Sequence, residues 1–224
     1  MTLIDRPVGR ASTQAEDGQR FVFPAADWAF YEQVGRQLAE QRVFVTYYKG
    51  RLEAARVSYL HERIVALLAQ LVWVLAEETN REMVGAGMTT LQRADLEEGI
   101  EPDSSFYIAH VERMRSRKEI DLANDPPPDL AIEVEVTHRL AERKSIYRDI
   151  GVGEVWVHGK NGLTILLRKD EQYEAADRSP TFPQLSAAEM SALVTAGLNE
   201  GGVSWIKSVR RRVQEAVSGG QTNE

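Results

Sequence analysis

From Tyr59 to Glu78 the apolar residues Ile64, Leu67, Leu68, Leu71 and Leu75 recur at spacings of three and four. That spacing draws one continuous stripe and predicts a long amphipathic helix. Ser58 stands where an N-cap belongs, although His61 occupies the position at which a capping box wants Glu. Glu62 brings negative charge to the first turn, where the helix dipole favours it. Upstream, Tyr31, Val34 and Leu38 predict a shorter helix over Trp28 to Gln41, and Phe44 to Tyr48 and Arg51 to Val57 read as short strands around Lys49-Gly50.

Met83 to Gln92 and Ser104 to Ile108 read as two further strands, with an acidic loop from Asp95 to Glu101 between them. A charged stretch, His110 to Asp125, runs into Pro126-Pro127-Pro128, which disfavour helix and keep the chain extended. From Asp129 to Thr137 the pattern turns strict. Leu130, Ile132, Val134 and Val136 alternate with Ala131, Glu133, Glu135 and Thr137, the period of a strand with one apolar face and one more polar face. A helix follows over Arg139 to Ile150, stopped by Gly151. Glu154 to His158, a turn at Lys160-Asn161-Gly162 and Leu163 to Lys169 form a hairpin pattern. Beyond a loop broken by Pro180 and Pro183, Ser186 to Ala196 and Val203 to Val217 predict the last helices. Strands mixed with helices in this order predict an α+β or α/β fold around a mixed sheet. Residues 1–20 read as an arm, 21–217 as a single domain and 218–224 as a tail.

Composition narrows the field. The 224 residues fit one domain of ordinary size, and 43% hydrophobic with 27% charged residues is the balance of a soluble globular chain. No run approaches the ~20 uninterrupted apolar residues of a membrane span. The first twenty residues lack the apolar core of a secretory signal. With no cysteine, disulfides, thiolate catalysis and cysteine-ligated metals are excluded. These features together give the expectation of a cytoplasmic protein without a membrane partner. The net charge of −7 counts mildly against high non-specific affinity for nucleic acid, although a local basic patch suffices for binding. Part of that negative charge is what a cation site would carry.

The candidate chemistry centres on Glu133 and Glu135. Two residues apart on a strand, they project from one face with Cα atoms roughly 6.5–7 Å apart. Buried side by side, two carboxylates need a proton or a cation between them, and Mg²⁺ prefers such oxygen ligands. Asp103, after Pro102, opens a second predicted strand; Lys144 lies on the helix after Glu135, sharing one side with Leu140 and Tyr147. Each has a plainer reading alone: a solvated strand face, a turn residue, an exposed helix lysine.

Together, Pro102-Asp103, Glu133-Val134-Glu135 and Lys144 resemble the PD-(D/E)XK nuclease signature. The wider text of Pro128-Asp129, Ile132-Glu133-Val134, Lys144 with Tyr147, and Gly151-Val152-Gly153-Glu154-Val155-Trp156 is similar to the Uma-type restriction endonuclease family within that superfamily. The likeness runs from about Phe44 to the C-terminal helices and is most specific from Asp129 to Trp156. It implies a restriction-endonuclease-like core, a mixed central sheet flanked by helices, with a metal site at one end of the central strands. Asp103 and Glu133 match the two acidic ligands of Mg²⁺ or Mn²⁺. Glu135 stands where the superfamily usually has lysine, which makes it a third acid and Lys144 the replacement cation. Glu62 matches an acidic position that supports the metal or its waters, a role it shares with the plainer one of a helix-start carboxylate.

The activity so implied is metal-dependent endonucleolytic hydrolysis of DNA, with Lys144 positioning the attacking water and a homodimer suiting cleavage of both strands. Two alternatives remain: a DNA- or protein-binding module that does not cleave, because Glu135 replaces lysine, and a nuclease directed at RNA. The four histidines, His61, His110, His138 and His158, have no zinc spacing, and His138 is near enough in sequence to the acids to meet a phosphate. Gly85-Ala86-Gly87 suggests a bend, not a phosphate loop. Arg113, Arg115, Arg117 and Lys118 suit either a DNA-backbone contact or a solvated loop, and Arg210-Arg211-Arg212 suits a helix face.

Overall fold

The computed structural model describes residues 12–13, 20–38, 41, 43–135 and 140–220. It is a mixed α/β architecture with two sheets. The first is antiparallel throughout, in the order β1(Ser12–Thr13), β2(Arg20–Phe23), β4(Arg51–Ala55), β3(Phe44–Tyr48), β7(Glu98–Ile100), β6(Leu91–Arg93). The second runs β12(Gln172–Ala176), β11(Gly162–Lys169), β10(Glu154–Gly159), β9(Leu130–Val134), β8(Ser104–Tyr107), β5(Val84–Gly85). Its single parallel pair, β9 with β10, is joined through helix α4(Leu140–Ile150), as a parallel connection requires.

The remaining helices are α1(Trp28–Leu38), α2(Tyr59–Glu78), the short α3(Val111–Met114), α5(Ala187–Gly197) and α6(Gly202–Gly220). Ser58 caps α2 by accepting the His61 backbone N–H, and Ser186 with Glu189 forms a complete capping box on α5. Helices α2, α5 and α6 cover one face of the second sheet, where Leu130, Ile132, Val134 and Trp156 meet Leu68, Leu71, Leu75, Val194 and Val209. By length and composition α2 could cross a membrane, but its apolar stripe lies in this core. Helix α4 covers the other face with Ile146, Tyr147 and Ile150 against Ala131, Val155 and Val157, and also meets Leu91 and Ile100 of the first sheet. It therefore lies between the two sheets. A third cluster seats Tyr31 of α1 on Val45, Tyr47 and Leu52.

Three expectations are revised by this packing. Met83 to Gln92 is two strands, not one: Gly87 takes φ +58°, Ala86 O accepts from Thr89 N and Oγ1, and the chain leaves the second sheet for the first. The acidic loop from Asp95 to Glu101 contains β7, concealed by the low strand propensity of Glu98-Gly99. The strand expected to continue to Thr137 ends at Val134, and residues 136–139 lie outside the described residues. Within the expected N-terminal arm, Ser12–Thr13 pairs with β2, and the rest of that arm lies outside the described residues except Arg20, which begins β2.

Gly99 makes β7 possible, because a Cβ there would stand 2.3 Å from the Tyr31 hydroxyl oxygen, in a ring stacked on Tyr47. Gly99→Ala is expected to cost about 1–3 kcal/mol through overpacking. Urea unfolding measures it; an unchanged midpoint would show that Tyr31 moves aside freely.

Candidate active site

Strand β8 delivers Asp103 and strand β9 delivers Glu133. The register sets Ser104 opposite Ile132, so Asp103 and Glu133 lie one residue beyond the last paired positions, at the same end of the ladder. The two are close enough for the charge of Asp103 to act on the Glu133 carboxyl. Asp103 locks this end of the ladder: its N–H donates to Ile132 O at 3.1 Å, and its Oδ2 accepts the Val134 N–H at 2.6 Å. Both acids are buried, at 6% and 5% exposure.

The face of β9 that carries Glu133 is not the solvated face that alternation suggests, since α4 lies over it. Arg143 and Tyr147, one helical turn apart, both reach Glu133. Arg143 Nε donates to Oε2 at 2.7 Å and Nη2 to Oε1 at 2.6 Å, a bidentate pair, and the Tyr147 hydroxyl also donates to Oε1. The same guanidinium donates through Nη1 to Thr46 Oγ1 at 3.0 Å and through Nη2 to Glu101 O at 2.9 Å. Arg143 thus ties β9 to β3 and to the segment after β7. Glu101 is itself fixed, its carboxylate accepting from Val45 N at 3.1 Å and Thr90 Oγ1 at 3.2 Å.

Asp103 has its own partner. His61, in the first turn of α2 and 4% exposed, sets Nε2 3.2 Å from Asp103 Oδ2. Among the described residues its Nδ1 is buried without a hydrogen bond, and Glu62 Oε1 lies 3.8 Å away. Burial works against the charged imidazole, but the Asp103 hydrogen bond and charge, helped by Glu62 and Glu133, outweigh it and raise the His61 pKa. Burial pushes the Glu133 carboxyl up to about 7, with Arg143 pulling it down and Asp103 adding to the rise. Burial and the charge of Glu133 raise Tyr147 well above an ordinary phenol. Arg143 is held firmly cationic, because Glu133 and the polarised Tyr147 outweigh the cost of burying it.

Of the expected site residues, Asp103 and Glu133 come together. Glu135 is half-buried just beyond β9, its N–H donating to His158 O at 2.8 Å. Lys144 is half-buried on α4, and among the described residues no hydrogen bond or ion pair joins it to the acids. Arg143 holds the position assigned to it. Glu62 is half-exposed and stands beside His61. His138 lies outside the described residues. His61 and Arg143 were missed for different reasons. Zinc spacing is the wrong test for a histidine paired with one aspartate, and Arg143 and Lys144 lie four and three residues from Tyr147, both compatible with its face.

Other motif residues are structural. Glu154 binds Trp156 Nε1 at 2.5 Å and Thr181 Oγ1 at 2.9 Å, and Asp129 Oδ2 accepts the Ile108 N–H at 2.7 Å. The basic loop folds onto its own acceptors: Arg117 on Asp125 at 2.6 Å, Arg113 on Asn124 O and Arg115 on Glu112 at 2.9 Å.

A divalent ion shared by the two acids needs ionised carboxylate oxygens with open lone pairs. Glu133 Oε1 is taken by Arg143 and Tyr147, Oε2 by Arg143, and Asp103 Oδ2 by Val134 N and His61. Among the described residues no three His, Asp or Glu side chains gather as a metal-ligand group. As arranged, with Arg143 on Glu133, these residues do not fit an ion bridging the two acids.

A mixed α/β fold that buries a cross-strand acid pair beneath an arginine is the class of protein the geometry defines. The chain matches the family described as "Uma2: Putative restriction endonuclease" over residues 28–196 and belongs to that family. Among solved structures it is similar to a crystal structure titled "putative nuclease belonging to DUF820" from Anabaena variabilis ATCC 29413, with 17% identity, 67% of this chain and 90% of that chain covered, and a TM-score of 0.49. No curated protein matches the chain.

Two outcomes follow from the site. In the folded protein Glu133 binds a proton between its ordinary 4.5 and about 7, so its burial costs stability as pH rises through that window. Arg143→Met deprives the ionised form of its cation, and the expected loss is about 3–5 kcal/mol near pH 8, shrinking toward pH 5. Denaturant unfolding at the two pH values reads this, and equal losses at both would contradict it. For His61, an NMR titration is expected to give a midpoint above the ordinary 6.5, and Asp103→Asn is expected to lower it, because burial then acts with less opposition.

Proposed function

We propose that this chain acts on phosphodiester bonds of DNA, with Asp103 and Glu133 at the centre and His61, Arg143 and Tyr147 as the groups that set their charge. The observation that carries this reading is the buried acid pair at one end of the β8–β9 ladder, with the Glu133 carboxyl pushed up by burial. Such an arrangement costs stability and is more common at working sites than in plain cores. Family membership supports the reaction class. Hydrolysis adds water across the P–O bond, giving a phosphomonoester and a free hydroxyl, and needs cationic groups near the charge that builds on the phosphoryl oxygens. Arg143, firmly cationic, and His61, with its raised pKa, are such groups in this chain. Use of Mg²⁺ or Mn²⁺, the cofactor expected from the family likeness, requires Arg143 to leave Glu133.

A second reading is DNA binding without cleavage, and one observation favours it. The residue on Glu133 is an arginine, which stays protonated at working pH and so cannot act as a base, whereas a lysine can. Nuclease assays on duplex DNA, single-stranded DNA and RNA, with Mg²⁺, Mn²⁺ or EDTA, separate the two readings. Under the first, wild type cleaves DNA, Asp103→Ala and Glu133→Ala lose about 100-fold or more, and Lys144→Ala changes little. Wild type that binds DNA yet is as inert as both acid variants decides for the second. A homodimer, expected from the family likeness, is tested by sedimentation in the same buffers.

A further inference from the structure

We propose that Arg143 is the resident cation of this centre: its guanidinium takes the place of a divalent ion on Glu133, so that the Asp103–Glu133 pair takes up neither Mg²⁺ nor Mn²⁺ while Arg143 is present. The inference rests on the reading of these two acids as the centre, and it identifies which positive charge serves them.

Lone-pair geometry is the first argument. Each carboxylate oxygen offers about two acceptor sites. Both sites of Glu133 Oε1 and one of Oε2 are filled by N–H and O–H donors, and both sites of Asp103 Oδ2 are filled by Val134 N and His61 Nε2. Among the described residues, the second site of Glu133 Oε2 and the oxygen Asp103 Oδ1 are what is left for an ion. A divalent cation prefers at least one fully ionised carboxylate with open oxygens, not two residual positions beside a guanidinium.

Nor is Arg143 a mobile arm. Four of its five N–H groups are used, on Glu133 twice, on Thr46 and on the Glu101 carbonyl, acceptors from three separate strands or strand ends. Withdrawing it from Glu133 breaks a bidentate pair of charge-assisted hydrogen bonds. Its planar fork matches the carboxylate geometry, and it stays cationic at any working pH.

Charge is the third argument. The centre holds two carboxyl groups, and Arg143 and His61 lie directly on them. With Arg143 charged, the pair retains too little negative charge to recompense dehydration of a divalent ion, and the guanidinium repels an ion entering beside it. Taken together, a metal and Arg143 compete for one seat, and the arginine is covalently present in every molecule.

The test is a Mn²⁺ titration of the full chain followed by electron paramagnetic resonance, which reads bound metal without reference to activity. Wild type is expected to bind no Mn²⁺ that Glu133→Gln abolishes. Arg143→Gln is expected to gain one Mn²⁺ site, a rise in affinity of roughly tenfold or more, and adding Glu133→Gln to it is expected to remove that site. Mn²⁺ is also expected to raise the melting temperature of Arg143→Gln but not of wild type. Glu133-dependent Mn²⁺ binding by wild type overturns the proposal, and so does a folded Arg143→Gln protein that gains no site. Should Arg143→Gln not fold, wild type against Glu133→Gln decides alone: Glu133-dependent binding refutes it and its absence upholds it. A chain inert in nuclease assays but with these metal results loses the cleavage reading and keeps this one; the opposite pattern does the reverse.

Discussion

The burial of Glu133 under α4 is the constraint around which the rest of the structure is arranged. A carboxylate taken out of water on the face of a central strand must find a proton, a metal or a fixed cation. Here it finds Arg143, in a bidentate pair closed by the Tyr147 hydroxyl. That pair needs α4 to lie at one rotation and one height over β9, which the parallel β9–α4–β10 connection and the apolar contacts of Ile146 and Ile150 provide. An arginine reaching down from α4 can also touch whatever lies on the helix's other side, and the first sheet uses that reach through Thr46 and the Glu101 carbonyl.

Charged groups meet helix α4 near both its ends, where it lies between the two sheets. Near its start Arg143 bridges the sheets. Near its end Asp149 faces Glu98 of β7, with Lys49 Nζ 3.9 Å from the first and 3.5 Å from the second. Burial, and then the proximity of Asp149, push Glu98 up to about 7. The two ends differ in kind: opposite charges meet at one, and like charges tempered by an exposed lysine meet at the other. Breaking the first end removes the geometry of the acid pair, whereas the second is remote from it.

Much of the framework was readable because it rests on periodicity. The stripe Ile64, Leu68, Leu71, Leu75 and the alternation Leu130, Ile132, Val134 each bury an apolar face, and the structure puts those two faces against each other. Asp103 and Glu133 were readable as neighbours because a short acid motif at a strand mouth and an acid inside a strand meet whenever β8 and β9 pair antiparallel in this register. What periodicity does not carry is which of two adjacent helix residues faces inward. Arg143 and Lys144 differ by about 100° of rotation, and only the direction of approach of α4 chooses between them. Strand β7 was hidden for another reason: Gly99 is present to admit Tyr31, a contact between distant segments that local propensity does not register. His61 was read by the spacing rule for metal ligands, whereas its partner is an aspartate 42 residues away.

That an arginine, and not the expected lysine, sits on Glu133 bears on what this centre can do. A lysine beside a carboxylate is a point charge on a flexible stem, able to lose its proton in a low-dielectric site. Arginine there removes proton transfer through that residue and replaces it with two directional hydrogen bonds. Any proton taken from water at this centre must then go to a carboxyl group or to His61, whose Nδ1 is buried and unpartnered among the described residues. Burial works against the charged imidazole and Asp103 outweighs it, so His61 takes a proton more readily than an ordinary histidine and, once protonated, can stabilise negative charge. Glu133, with its carboxyl near neutrality, is the group whose protonation changes most readily there, but its oxygens are covered by Arg143 and Tyr147. The chemistry open to the site is thus governed less by the number of acids it contains than by whether Arg143 stays on them.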